Sequence, residues 1–220
     1  MADMLVTEDQ LIEEIAASGL SVPASWNDGA RNRAIERSTQ QIQQWCGRRF
    51  IAGEDDEART YSGNGLVALW IDDALSITSI TLDGSELSSG LWHACPANAT
   101  PITHVERHRT RMYPLARGYD LPTGYVGRAT WTLGQQNVVI AGQFGYSDPL
   151  PGSIEDACCL LAIARLARVY EFPTIVDGTV KQGTVLGVTF QLDQRDSTIK
   201  AISETARALV QPYVRVYSIR

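Results

Sequence analysis

The chain has 220 residues, of which 44% are hydrophobic and 20% charged, enough for one domain with a substantial core or two small ones. Its formal charge of −6 and pI near 5.1 argue against wrapping duplex DNA, which requires a strongly basic face. The acidic start lacks the order of a signal peptide, and no apolar run is long enough to span a bilayer. We therefore expect a protein that is made in the cytoplasm, does not enter a membrane and keeps its four cysteines reduced.

Two helices are predicted in the first fifty residues. Thr7 and Gln10 have the spacing of a capping box, in which each side chain accepts from a backbone N–H at the helix start. A longer helix is predicted from Asp28, because apolar and small side chains recur at helical spacing as far as Trp45. Gly47 lies where a left-handed glycine commonly ends a helix.

An antiparallel β region is predicted from about residue 59 to residue 146. A continuous apolar run at residues 66–71 is typical of a strand buried on both faces, and Asp83-Gly84 is a strong hairpin signal. The pattern of residues 91–127 predicts no element. The predicted strands are residues 66–71, 77–82, 128–133 and 137–143.

Helices return after the β region, where two prolines stop the sheet because neither can donate to a strand ladder. Ser153 is predicted to cap a helix over residues 154–172, and this helix is apolar on most sides, so other helices must surround it. A last helix is predicted over residues 197–213. Between the two, residues 186–193 alternate strictly between apolar and polar, which predicts an isolated strand or an extended arm.

The predicted fold class is α+β. A discontinuous bundle of about four helices carries an antiparallel β module inserted between its second and third helices. The predicted parts are residues 1–54 and 149–220 for the bundle, with an extended arm and a C-terminal tail in its second part, and residues 55–148 for the insertion.

The motif search favours no catalytic residue, no cofactor and no metal. The chain has no phosphate-binding loop, no dinucleotide fingerprint and no hydrolase or metalloprotease motif. His93, Cys95, His104 and His108 are residue types that bind zinc, but their spacing matches no familiar zinc motif. A small metal-dependent enzyme that uses these four residues is therefore kept as an alternative.

An arginine group and a tryptophan group can each be interpreted either as a binding surface or as ordinary surface or core residues. Arg107, Arg109 and Arg111 would share one face of a strand and suit phosphate or an acidic partner, although a solvated face is favoured. A carbohydrate-binding β module is a third alternative, and core or interface packing is the favoured role of its aromatic residues. These residues are Trp70, Trp92 and Trp131.

Three stretches of sequence, taken in order, resemble a known family. A helix ends in QIQQWCGRRF, a strand and helix read VVIAGQFGYSDPLPGSIEDACCLLAIARL, and the last helix closes with ALVQPYVRVY. This order resembles the head–tail connector proteins of tailed bacteriophages, also called adaptor or head-completion proteins. The β segment is longer here than in the family, so the resemblance predicts no role for residues 85–127.

The resemblance implies a structural virion protein rather than an enzyme. Such a protein assembles in the host cytoplasm as a ring of copies on the portal protein, extends the DNA channel and contacts the next neck or tail protein. It implies that genomic DNA passes through without specific binding and that Lys181, Gln182 and Gln191 face the channel. The alternative within the same class is another neck or tail component, such as a stopper or tail-completion protein.

The C-terminal tail, residues 214–220, is predicted to bind a partner. It is too short to fold alone and too apolar for a solvated end, so it could add a strand to a sheet edge of the portal or of a neighbouring copy. Packing back on its own bundle is the alternative. The predicted partner-binding residues are Arg215, Tyr217, Ile219 and Arg220.

Overall fold

The structure is a computed structural model, and it describes residues 4–108, 110–111, 126–127, 129–170, 174–175, 182–186, 188–191 and 195–215. These residues form an α+β fold in which an antiparallel sheet lies in sequence between the second and third α-helices, as predicted. The chain divides into two compact units. The helical unit comprises Met1–Ile51 with Pro149–Arg220, and the β unit comprises Ala52–Asp148.

The helical unit contains four α-helices among its described residues. The capping box of the first helix is confirmed: Thr7 Oγ accepts from the Gln10 N–H at 3.2 Å, and Gln10 Oε1 accepts from the Thr7 N–H at 2.8 Å. Gly47 is also confirmed as the left-handed residue that ends the second helix, with φ of 61°. The helices are α1 (Glu8–Ala17), α2 (Asp28–Cys46), α3 (Gly152–Val169) and α4 (Arg195–Val210), and a 3-10 turn (Gln211–Tyr213) follows α4.

The third helix, α3, is the centre of the helical unit and packs against α2 and α4. Its capping was predicted wrongly: Pro151 is the N-cap and makes no side-chain bond, while the Ser153 hydroxyl lies 2.9 Å from the Tyr213 hydroxyl. The helix also ends at Val169 rather than at residue 172, and residues 171–173 lie outside the described residues.

Short strands accompany the helices. β1 (Leu20–Ser21) pairs antiparallel with β10 (Thr174–Ile175). The alternating segment between α3 and α4 is not the isolated strand that was predicted, because β11 (Gln182–Val185) and β12 (Val188–Gln191) pair as an antiparallel hairpin. Leu186 leads into its turn with φ of 48°, a conformation that the alternation of apolar and polar residues cannot indicate.

The β unit is built on one antiparallel sheet with strand order β2-β9-β3-β6-β5, and β4 pairs with the end of β3. The hairpin turn at Asp83-Gly84 is confirmed, with positive φ angles of 50° and 79° between the paired residues Leu82 and Ser85. A separate pair is formed by β7 (Thr110–Arg111) and β8 (Val126–Gly127). The sheet strands are β2 (Glu57–Tyr61), β3 (Ala68–Leu82), β4 (Ser85–Glu86), β5 (Trp92–Cys95), β6 (Ile102–Arg107) and β9 (Val138–Phe144).

The longest strand, β3, joins two segments that were predicted as separate strands. Its register against β6 shifts between Trp70 and Ala74, so the strand passes the Asp72-Asp73 sequence by bulging rather than by ending. The first segment is not buried on both faces, because Leu69 and Ile71 are buried while Trp70 is 63% exposed.

The strand predicted at residues 128–133 is absent from the described part of that segment, which begins at residue 129. Its backbone is irregular, but the Trp131 N–H donates to the Leu66 carbonyl at 2.8 Å and the Trp131 carbonyl accepts from the Gly65 N–H at 2.8 Å. The Trp131 indole is fully buried in the core of the sheet and donates to the Val105 carbonyl at 3.2 Å. Two backbone hydrogen bonds to the residues just before β3 therefore take the place of a strand ladder.

Candidate docking site

A pocket of about 340 Å³ lies between α2 and α3 and is lined mainly by arginine and apolar side chains. Arg33 and Arg37 lie one turn apart on α2, and Arg165 and Arg168 lie one turn apart near the end of α3. Across the described residues, no carboxylate lies within ion-pair distance of these four arginines. The other lining residues are Ala30, Ala34, Leu166, Val169 and Tyr170.

Arg165 shows how closely the arginines are placed. One guanidinium nitrogen donates to the Arg37 carbonyl at 3.4 Å and also to Gln41 Oε1, while its Nε atom is buried without a hydrogen-bond partner. Burial lowers the pKa of Arg165, and the charge of Arg37 lowers it further. The site is thus a concentration of positive charge that no carboxylate of the described residues pairs with, and an anionic ligand would reduce the repulsion between these arginines.

The floor of the pocket is apolar, and its edge continues into an exposed apolar side chain. Ala34 and Leu166 are buried, whereas Val169 at the end of α3 is 72% exposed. An exposed valine beside four arginines suits a macromolecular segment that carries both carboxylates and an apolar side chain. The arrangement is suited to binding such a segment.

Sequence reasoning did not find this pocket. The spacing of Arg33 with Arg37, and of Arg165 with Arg168, places each pair on one side of its own helix. It gives no information on how two helices more than a hundred residues apart in sequence are placed against each other.

The predicted C-terminal binding residues are described only at their start. The Arg215 N–H donates to the Cys46 carbonyl at 2.8 Å, and Arg48 Nε donates to the Tyr213 carbonyl at 2.7 Å. The start of the tail is therefore hydrogen-bonded to the end of α2 through the Arg215 backbone. Tyr217, Ile219 and Arg220 lie outside the described residues.

The predicted channel-facing residues are brought together in part. Gln182 and Gln191 are directly paired at the open end of the β11–β12 hairpin, and Lys181 lies outside the described residues. In the basic cluster, Arg109 also lies outside them, and Arg107 stacks over the Trp131 ring with 5.5 Å to its centroid. Arg107 therefore packs against the core of the sheet.

Two of the four residues kept for the metal-dependent alternative, His93 and Cys95, lie close to a carboxylate. Ligand atoms of His93, Cys95 and Glu106 all lie within 4.8 Å of one another. His108 stacks on His93 with 4.9 Å between ring centroids. Glu106 was missed, because the sequence gives no sign that it lies opposite His93.

The tryptophans proposed for sugar binding do not form one platform. Trp131 is fully buried, Trp92 is partly buried against the core of the sheet, and Trp70 is exposed and stacks on His104 with 4.6 Å between ring centroids. The three rings are therefore not presented together, and Trp70 is the one of the three that is exposed.

No protein-family model matches the chain, and no curated protein is significantly similar to it. Among solved structures, the chain is similar to one described as the neck of an empty GTA (gene transfer agent) particle computed with C6 symmetry. The similarity covers 96% of this chain and 92% of that chain, with a TM-score of 0.51 and 16% sequence identity. At this identity the comparison shows a shared fold. In addition, none of the helices in the described part of the chain has the length and apolarity needed to cross a bilayer.

Proposed function

We propose that this protein is a structural component of the neck of a tailed phage or a phage-like particle, where it forms a ring on the portal and joins head to tail. The observation that carries the proposal is a fold shared over nearly the whole of both chains with a protein of a particle neck. The order of sequence motifs that resembles the head–tail connectors supports it independently, because those motifs were identified without the fold.

A ring requires a head-to-tail contact, in which one surface of each copy meets a different surface of the next. The arginine pocket between α2 and α3 is one such surface. The described residues also include a short acidic segment at the start of the β unit, where Glu54, Asp55 and Asp56 are exposed. These two surfaces have opposite charge and lie in different units of the chain.

In this proposal the acidic segment at residues 54–56 of one copy occupies the arginine pocket of its neighbour. Carboxylates form charge-assisted hydrogen bonds with arginines. These bonds attract the two copies and also fix their relative orientation. Contacts at a solvent-accessible rim are screened by salt, so ring formation weakens as ionic strength rises.

The net charge suits a conduit for DNA. At −6 the chain repels the phosphate backbone on average, and the four arginines of the pocket are withdrawn from DNA when the neighbouring copy covers them. Genomic DNA then passes through the ring without specific binding.

The tail at residues 214–220 is proposed to bind the portal or a neighbouring copy by strand addition. Its start is anchored to the end of α2 through Arg215, which fixes where the following residues leave the bundle. Truncation after Arg215 removes Tyr217, Ile219 and Arg220 and keeps that anchor. The truncated protein is expected to keep its melting temperature and lose binding to the portal, whereas normal binding would exclude the tail as an anchor.

Incubation of the purified protein with its cognate portal, followed by electron microscopy, tests the function. Added ring density on the portal is the expected result. Bare portal particles together with binding to portals that already carry an adaptor ring would indicate a stopper instead. No binding to either particle would refute a role in the neck.

A charge-reversal pair tests the ring contact. The double variant Arg33→Glu, Arg37→Glu is expected to abolish ring formation, because it turns half of the pocket negative. Reversal of residues 54–56 to lysine in the same chain is expected to restore it. The control is Arg207→Gln on α4, which removes a positive charge outside the pocket. Arg31 is unsuitable as a control, because it pairs with Glu8 and Asp28. Rings that form equally well with the reversed pocket would refute this contact but leave the neck function standing.

A further inference from the structure

The outer face of the β5–β6 pair carries four side chains of the types that bind transition metals. His93 is directly opposite Glu106, and Cys95 is directly opposite His104. Val105 is buried and Ala94 packs against the core of the sheet, so the strand alternation turns these four residues to the other face. Directly opposite residues on adjacent strands have Cβ atoms about 5 Å apart, which is close enough to share a ligand.

The distances single out three of the four. Ligand atoms of His93, Cys95 and Glu106 all lie within 4.8 Å of one another, and His93 Nε2 lies 3.2 Å from Glu106 Oε2. In a tetrahedral zinc site the donor atoms are about 3.5 Å apart, given metal–ligand bonds of about 2.0–2.3 Å. All three side chains are only partly buried, so small rotations bring their donor atoms to this spacing.

Neighbouring side chains hold the set in place. His104 Nε2 lies 3.7 Å from Glu106 Oε1, and its Nδ1 lies 3.2 Å from the Thr103 hydroxyl, so its ring is fixed beside the carboxylate. The Trp70 ring also contacts the His104 ring, with 4.6 Å between centroids. His93 Nδ1 is buried and has no hydrogen-bond partner, although buried polar atoms are normally satisfied.

We propose that His93, Cys95 and Glu106 bind a divalent transition-metal ion of the zinc class, with His104 as the positioning residue of Glu106. One imidazole nitrogen, one thiolate and one carboxylate oxygen are the donors that zinc and cobalt accept together. Three protein ligands leave the fourth position to water. A ligating carboxylate held by a second side chain is a usual outer-shell arrangement in metal sites.

A dication placed between the Cys95 sulfur and the Glu106 carboxylate would stabilise the thiolate and the carboxylate together. Binding therefore releases the thiol proton to solvent and forms the metal–sulfur bond without any oxidation or reduction.

The proposed ion ties β5 to β6 at the edge of the sheet, since β5 is the last strand in the order. An edge strand of four residues gains little from its own ladder, so a metal link across the pair would stabilise it. The proposed metal site is independent of the proposed neck function.

Cobalt titration of the whole purified protein tests the site. One equivalent of Co²⁺ is expected to produce a thiolate-to-cobalt charge-transfer band in the near-ultraviolet, and one equivalent of Zn²⁺ is expected to remove it. Zinc is also expected to slow alkylation of Cys95. Absence of the band, or a band with unchanged alkylation of Cys95, would overturn the proposal.

Single variants assign the ligands. Cys95→Ser is expected to remove the band, and Glu106→Gln to weaken Zn²⁺ binding at least tenfold, an effect of about the size seen when metal-site partners are lost. Glu86→Gln is the matched control, because Glu86 is an exposed carboxylate on the same sheet. His104→Ala is expected to weaken binding and keep the band, which separates a positioning role from ligation. Equal affinities for Glu106→Gln and Glu86→Gln, with unchanged melting temperatures, would refute the ligand set.

Discussion

Leu161 on α3 offers the sharpest test of the helical core. It is 3% exposed, and the five consecutive residues Leu160–Ala164 are all buried. Five residues span about one and a half turns, at 3.6 residues per turn, so protein surrounds this part of the helix on every side. A side chain introduced here has no direction in which to reach water.

The expected cost follows from this burial. Leu161→Ala removes a packed side chain and is expected to cost about 2–5 kcal/mol of unfolding free energy. Leu161→Asp adds an unpaired buried charge and is expected to cost more than about 5 kcal/mol, a large share of the roughly 5–15 kcal/mol of a typical domain. Gln40→Asp adds the same charge at an exposed position of α2 and is expected to change stability by less than about 0.5 kcal/mol.

Urea denaturation followed by far-ultraviolet circular dichroism measures all three variants against the parent protein. The expected order of midpoints is Gln40→Asp near the parent, Leu161→Ala lower, and Leu161→Asp unfolded or nearly so without denaturant. If Leu161→Asp and Gln40→Asp had similar midpoints, α3 would have an exposed side, and the description of a surrounded helix would be wrong.

Two further predictions concern thiols and a glycine. Burial raises the pKa of Cys46 to about 11 and that of Cys158 to about 12, and Cys159 is also buried. At pH 8 a thiol reagent should therefore react quickly with one thiol, that of Cys95, and with the other three only after unfolding. More than one fast-reacting thiol would contradict this. Gly142→Ala should cost about 3 kcal/mol or more in a denaturant melt, because a Cβ there would lie 2.2 Å from the Ser76 carbonyl oxygen on the neighbouring strand, whereas Gly90→Ala meets nothing and should be neutral; equal costs would refute the packing of β9 against β3.

Local signals in the sequence predicted the parts of the fold that depend on local chemistry. The capping box at Thr7, the left-handed Gly47 and the turn at Asp83-Gly84 each require a specific residue type for a conformation or a hydrogen bond. The apolar character of α3 on all sides likewise predicted a surrounded helix. Such features can be predicted because their causes lie within a few residues of each other.

Features set by pairing partners were missed. Asp72 and Asp73 looked like a strand end, but β3 pairs with β6 on both sides of them, at Trp70 and at Ala74, and Asp73 is buried. Strands β5 and β6 are short and irregular in pattern, and only their register brings Glu106 opposite His93. The arginine pocket has the same origin, because it depends on where two distant helices meet.

The division into two units leads to a prediction about independent folding. Within the β unit, the Gly53 N–H donates to the Phe144 carbonyl at 2.7 Å, and Gln143 Nε2 donates to the Gly53 carbonyl at 3.3 Å. The two ends of the inserted unit therefore lie side by side. Insertions and excisions are tolerated best where the ends of the inserted segment are close together. A short Gly/Ser linker can then replace Ala52–Asp148 without stretching the helical unit.

The excised protein is expected to keep a helical circular dichroism spectrum and a cooperative thermal melt, because α3 keeps the helices that surround it. The isolated β unit is expected to melt cooperatively as well, since its buried residues form their own cluster around Trp131, Ile140 and Phe144. The control is Leu161→Asp in the excised protein. If the excised bundle is folded around α3, this substitution must unfold it. A helical spectrum that melts without cooperativity, or an insoluble product, would mean that the two units stabilise each other and that neither is a domain by itself.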